Sequence, residues 1–104
     1  MSTQAARSAQ MTVHEARQRL EHERGSRLAQ LRAIEERAED GAEELMLAQT
    51  AAIHRVLAEI RAAEERLAAG SYGICQGCGT RIPVERLEIL PYVRNCVGCQ
   101  QRAL

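Results

Sequence analysis

The chain has no tryptophan, no phenylalanine and no lysine, and only two tyrosines and two prolines among its 104 residues. Without large aromatic side chains a sizeable globular core cannot be filled. A domain this small then needs a metal, a disulfide or a partner to hold it. Surplus charge is missing too: 14 arginines face 14 acids, for a formal net charge of zero. Direct sequence-specific DNA binding is therefore not expected, because affinity for the phosphate backbone grows with the cationic surplus. Long apolar runs are absent. The longest in the helical region, Leu45 to Ala48, is four residues, against roughly 20 for a membrane span. Met1 to Gln10 also lacks the apolar stretch of about 7–15 residues found in a secretory signal. The expectation is a cytoplasmic protein with no membrane segment, in a compartment where thiols stay reduced and disulfides are rare.

What is abundant is alanine, glutamate, arginine, glutamine and leucine, residues that lose little on entering a helix. After a polar, flexible N-terminal segment, residues 1–11, apolar positions recur at Val13, Ala16, Leu20, Leu28, Leu31, Ile34 and Ala38. These steps fit a 3.6-residue period. Gly25 interrupts the stripe and predicts a local bend. The turn dipeptide Asp40-Gly41 breaks the pattern. It resumes at Leu45, Ile53, Val56, Ile60, Ala63 and Leu67 and stops at Gly70, a natural C-terminal terminator. Two arms of equal length with a short polar turn predict an antiparallel helical hairpin, a coiled coil over residues 12–69 with its tip near 39–42. The rival is one long helix paired with another chain; Gly41 and the matched arms favour the monomeric hairpin.

From Gly70 the period vanishes, and residues 70–104 form a separate small module. It holds the four cysteines as Cys75-x2-Cys78, seventeen intervening residues, then Cys96-x2-Cys99. Two such knuckles at a separation of about 15–20 are a zinc signature. Each turn presents two thiolates on one side, and two facing turns close a tetrahedron around Zn²⁺. Gly77, Gly79 and Gly98 are expected to supply the unusual backbone angles of the turns. Disulfides would need an oxidising compartment, and a redox CxxC leaves the second pair unexplained. With Cys75, Cys78, Cys96 and Cys99 all ligating, no position stays open for substrate, so one structural Zn²⁺ is expected. Short helices are predicted after Pro83, from Val84 through Leu87, and after Cys99.

The run Gly70-Ser71-Tyr72-Gly73-Ile74-Cys75, then Cys78-Gly79, Ile82-Pro83, Arg86-Leu87-Glu88, Pro91 and Cys96-x2-Cys99 resembles the zinc-finger module of the DksA/TraR family. The hairpin before it is similar to the family's coiled coil. The resemblance implies a transcription regulator that binds bacterial RNA polymerase directly, not DNA. It further implies that the hairpin enters the polymerase secondary channel with an acidic tip near the catalytic centre, while the zinc module supports the base.

The residues around the turn fit that picture. Glu35, Glu36, Glu39, Asp40, Glu43 and Glu44 face only Arg37, a local charge of −5. Such a tip suits a site lined by cations or a divalent metal; equally, these acids are what any solvated hairpin end carries, and Glu43 and Glu44 complement a helix dipole. The family's tip has two Asp three apart, followed by Ala two residues later. Asp40-Gly41-Ala42 matches the second half, and Arg37 stands where the first Asp would be. The resemblance thus assigns partner contact to Glu39, Asp40 and Ala42. It also predicts weak or no response to the alarmone ppGpp, because Leu90 and Gln100 occupy positions where responsive members have Arg and Lys. The missing first Asp motivates an alternative: a zinc-finger adaptor whose hairpin binds another protein or its own copy.

The remaining residues read as structural. His14, His22 and His54 have no ligand at metal spacing and are expected on the surface. Tyr72 is expected to pack the junction between helix and zinc module. Arg81, Arg86, Arg94 and Arg102 outnumber Glu85 and Glu88 and are available either to an acidic partner or, for Arg86 and Glu88, to each other. No Ser/His/Asp set, phosphate loop or open metal site is present, so an enzyme is not expected.

Overall fold

The computed structural model describes residues 11–37 and 43–102. The expectations for residues 1–10 and for the tip, including Glu39, Asp40 and Ala42, lie outside the described residues. Helix α1 spans Val13–Arg37 and α2 spans Glu43–Ala69. They pack along each other as a hairpin, within a molecule of 59 × 29 × 22 Å. Val13 and Leu67 line one cleft, and further along the rod Leu20 clusters with Ile60 and Ala63. Contacts that climb one helix while descending the other define the antiparallel register.

Both helix ends are fixed by local chemistry. At the start of α1, the Thr12 hydroxyl accepts the Glu15 N–H at 3.1 Å and donates to the Glu15 carboxylate at 3.1 Å. The first of these bonds satisfies a backbone donor that the helix N-terminus would leave orphaned, and the second holds the hydroxyl in place for it. At the end of α2, Gly70 adopts φ +80, its N–H bonds to the Leu67 carbonyl, and the Ser71 N–H bonds to the Arg66 carbonyl at 2.9 Å. Glycine is needed there because a left-handed residue carries the Schellman turn.

The apolar stripe is buried only in part. Ala16, Leu20, Ile60 and Ala63 are fully buried, and Tyr72 and Tyr92 cover them. Val13, Leu28 and Leu45 are exposed despite their place in the period. The seam is closed where the zinc module adds its aromatics and is thinner toward the tip, where Thr50 and Ile53 are the buried positions. The predicted bend at Gly25 does not break α1, which runs on through it. A Cβ at Gly25 would have nothing within 4 Å. Gly25→Ala should therefore stabilise the chain by about 1 kcal/mol, read as an upward shift of the urea midpoint.

Beyond α2, an isolated antiparallel bridge joins Ile74 and Arg81. Helix α3, Val84–Ile89, starts after Pro83 as expected. Helix α4, Val97–Arg102, begins before Cys99 rather than after it. The cause is local: the Cys99 N–H donates to the Cys96 sulfur at 3.5 Å, so Cys96 acts as the cap.

Candidate metal centre

The two knuckles are brought together by a short antiparallel pairing. The Cys75 N–H bonds to the Thr80 carbonyl and the Ile82 N–H to the Gly73 carbonyl, each at 2.8 Å, which folds the first CxxC into a loop. The second CxxC lies across the start of α4. The link between the knuckles is direct: the Gln76 N–H donates to the Arg94 carbonyl at 2.9 Å, and the Cys96 N–H to Cys75 Sγ at 3.2 Å. Beneath them Cys75, Ile82 and Leu87 form a small buried cluster, with Met11, Tyr72 and Val93 against it.

The four sulfurs all lie within 4.8 Å of one another, and Cys78 Sγ is 3.8 Å from Cys96 Sγ. A tetrahedron with Zn–S near 2.3 Å has an edge of about 3.8 Å. A disulfide would place two sulfurs at about 2.05 Å, and all four cysteines are free. The donor set and its spacing fit one Zn²⁺ held by four thiolates, a closed site whose metal is structural. Among the described residues this is the group of acidic, histidine or cysteine side chains positioned to hold a metal. His14, His22 and His54 are exposed on the helices, as expected.

Each sulfur has its own hydrogen-bond partner. Cys75 receives the N–H groups of Gly77 and Cys96, and Cys96 receives that of Cys99. Cys78 lies 2.9 Å from the Thr80 hydroxyl, and Cys99 receives the Arg102 guanidinium at 3.0 Å. A Zn(Cys)₄ centre carries two net negative charges, and these donors spread them. The Cys96 N–H, foremost, holds the Cys75 thiol down at about 6. The Thr80 hydroxyl lowers Cys78. Sharing a hydrogen bond with Cys75 pushes Cys99 up to about 12. Thiols must give up their protons to ligate, so zinc loading releases protons and weakens as pH falls.

Of the three glycines expected to supply unusual backbone angles, one does. Gly79 has φ +76, but neither Gly77 nor Gly98 is left-handed. At Gly77 the requirement is space: a Cβ would sit 2.8 Å from Cys99 Sγ and 3.0 Å from Cys99 Cβ. At Gly98 a Cβ meets only the Arg102 side chain, at 3.8 Å. Gly77→Ala should push the knuckles apart and weaken zinc binding at least tenfold, of the order seen for changes around metal ligands. Gly98→Ala should leave it unchanged, and a chelator competition titration separates the two.

The arginines of the module are mostly engaged within the chain. Arg86 donates to the Asn95 carbonyl at 3.1 Å instead of pairing with Glu88, which faces Arg19 of α1 at 3.5 Å. Arg94 reaches Glu59 of α2, and Arg102 reaches Cys99. Buried Arg66 of α2 donates toward the carbonyls of Tyr92 and Val93 at 3.4 and 3.5 Å. None of these long-range partners has a local sequence signal. Thr80 and Arg102, two and three residues from cysteines, could have been read as thiolate donors. Arg37 closes α1 and Glu43 and Glu44 open α2, all exposed.

Comparison with known proteins agrees with the geometry. The family described as prokaryotic dksA/traR C4-type zinc finger matches residues 70–103. Two curated proteins are similar over 45 residues: an uncharacterized protein of Aquifex aeolicus (strain VF5), 44% identical, and General stress protein 16O of Bacillus subtilis (strain 168), 42% identical. That match is 43% of this chain but only 31% and 28% of theirs, so it spans under a third of either relative. The solved structure of transcription factor DksA2 from Pseudomonas aeruginosa is similar over far more. It covers 88% of this chain and 76% of that one, at 30% identity and a TM-score of 0.51.

Proposed function

The chain belongs to the DksA/TraR family, and from that premise we propose that it regulates transcription by binding bacterial RNA polymerase. The observation that carries the reading is the joint arrangement of rod and base. A two-helix hairpin is bolted at one end to a closed four-cysteine module, an arrangement similar across 76% of the length of a Pseudomonas aeruginosa transcription factor. A rod of this kind delivers its free end to a distance from its anchor. The rod of about 27 residues is about 40 Å long at 1.5 Å per residue. In this proposal the hairpin enters the secondary channel, and Glu39, Asp40 and Ala42 approach the cations and metal of the catalytic centre.

The zinc supplies no chemistry to a substrate; Cys75, Cys78, Cys96 and Cys99 would hold it to set the base of the rod. The protein then acts as a binding regulator and not as an enzyme, and works in the cytoplasm beside its polymerase. No helix among the described residues is long and apolar enough to cross a membrane. Leu90, at the end of α3, and Gln100, on α4, offer ppGpp no positive charge, so the response to the alarmone is weak or absent.

Pull-down of purified polymerase by the full chain tests this. The parent binds, and Asp40→Asn retains binding but changes the lifetime of promoter complexes. Failure of the parent to bind polymerase ends the proposal. The exposed Leu45 and Leu47, at 64% and 62% relative exposure, support a second reading in which the hairpin docks on another protein or its own copy. Sedimentation of a stable dimer would favour that reading; a concentration-independent monomer would count against it.

A further inference from the structure

The link from α3 to the second knuckle has no regular structure of its own, yet residues of α2 and the turn after it hold nearly every step of it. The Tyr72 hydroxyl donates to the Pro91 carbonyl at 2.7 Å. Arg66 reaches the next two carbonyls, Tyr92 and Val93. Arg94 then turns its side chain to α2, where Nε and Nη2 both meet Glu59 Oε2, at 2.9 and 2.7 Å. Its backbone faces the other way. The Arg94 carbonyl takes the Gln76 N–H at 2.9 Å, and Arg94 Nη1 lies 3.5 Å from Gln76 Oε1, both inside the first knuckle. Two residues further on, Cys96 is a ligand. One residue therefore touches the rod and the first knuckle and sits two positions from the second.

We propose that Arg94 and Glu59 are a positioning pair for the metal centre, so that α2 forms part of the surroundings that set zinc affinity. The two knuckles must face each other to within fractions of an ångström to close a tetrahedron. Groups that orient metal ligands from behind are typically worth about 10- to 100-fold in metal affinity. Both partners of the ion pair are 40% exposed, and a pair that open to solvent adds little to folding stability. Its effect lies in where it puts the Arg94 backbone. Coupling of this sort is reciprocal: the rod tightens the metal site as much as the bound metal tightens the base of the rod. The inference stands on the metal site alone and does not require the polymerase reading.

The test uses the full chain and two probes, Zn²⁺ in chelator competition and Co²⁺ for its absorption bands. Glu59→Gln keeps shape and removes charge at a solvent-facing position, so helix content should stay at the parent level. Zinc affinity should fall about tenfold, and the cobalt bands should shift or broaden as the tetrahedron relaxes. Arg94→Lys keeps the charge but loses the forked contact, and should fall between the two. Glu64→Gln, which breaks the Arg24 pair elsewhere on the rod, should leave both readouts unchanged. Glu59→Gln binding zinc within twofold of the parent, with the parent's cobalt spectrum, overturns the proposal. So does an equal loss in Glu64→Gln, which would assign the effect to the rod's general stability.

Discussion

Cys75→Ser is expected to leave the chain without zinc and to unfold the module from Ser71 to Arg102, while the hairpin keeps most of its helix. Cys75 is only 2% exposed, and its sulfur receives two backbone N–H groups, one from each knuckle. Serine removes the thiolate ligand and puts a shorter, uncharged hydroxyl where the sulfur accepted from both knuckles. What remains under the module is the cluster of Ile82 and Leu87 with Tyr72, Val93 and Met11 around it. Such a patch cannot offset the conformational entropy of some thirty residues at about 1–2 kcal/mol each. Structural zinc in small domains contributes about 10–16 kcal/mol of apparent binding free energy, as large as the whole stability of an ordinary domain. Metal analysis should find one zinc in the parent and none in the variant. Protease should cut the variant beyond Gly70, while circular dichroism at 222 nm keeps the signal of α1 and α2. Cys78→Ser should be milder, because Cys78 is exposed and its partner is the Thr80 hydroxyl, which also bonds a serine. A Cys75→Ser protein that still holds one zinc and resists protease would show that the metal does not organise the module.

The parts of this structure that could be read from the chain are those written in local spacing. Four cysteines at x2, x17 and x2 state a tetrahedral site without reference to anything else, and the sulfurs do converge. Helix limits were legible for the same reason: Thr12 and Glu15 are three apart, and Gly70 follows the last turn. The depth of burial was not. A 3.6-residue period marks which side of a helix is apolar, but Leu20 is buried and Leu28 exposed on one stripe because the aromatics that cap the seam come from Tyr72 and Tyr92. Arginine partners were equally illegible. Glu59 and Arg94 are 35 residues apart, and Arg19 and Glu88 are 69 apart, whereas the pairing suggested by proximity, Arg86 with Glu88, does not form. Gly77 is required for space and not for a backbone angle, which no local signal states, since the sulfur that crowds it belongs to a residue 22 positions on.

Tyr72→Ala should destabilise the rod and the zinc module together. Tyr72 alone of the described residues packs against both buried clusters, Leu20–Ile60–Ala63 in the rod and Cys75–Ile82–Leu87 in the module. Truncating a large aromatic costs about 3–5 kcal/mol when fully buried, and Tyr72 is half-buried, so about 3 kcal/mol is expected in urea denaturation. Tyr72→Phe isolates the hydroxyl. It leaves the Pro91 carbonyl, beside a fully buried side chain, without its 2.7 Å donor, at a cost of about 1–2 kcal/mol. The two variants also differ from the parent in alkali. Burial raises Tyr72 from 10.0 to about 12, with Arg66 and Arg19 pulling the other way. A folded-state value above the unfolded one means the fold favours the protonated phenol. That contribution is complete below pH 10 and is lost as pH rises toward 12. The urea midpoint of the parent should therefore fall across this window, and that of Tyr72→Phe should fall less, starting from a lower value. If instead Tyr72→Ala melted like the parent, Tyr72 would not couple the rod to the module, and the attachment would rest on Arg66, the Arg94–Glu59 pair and Tyr92.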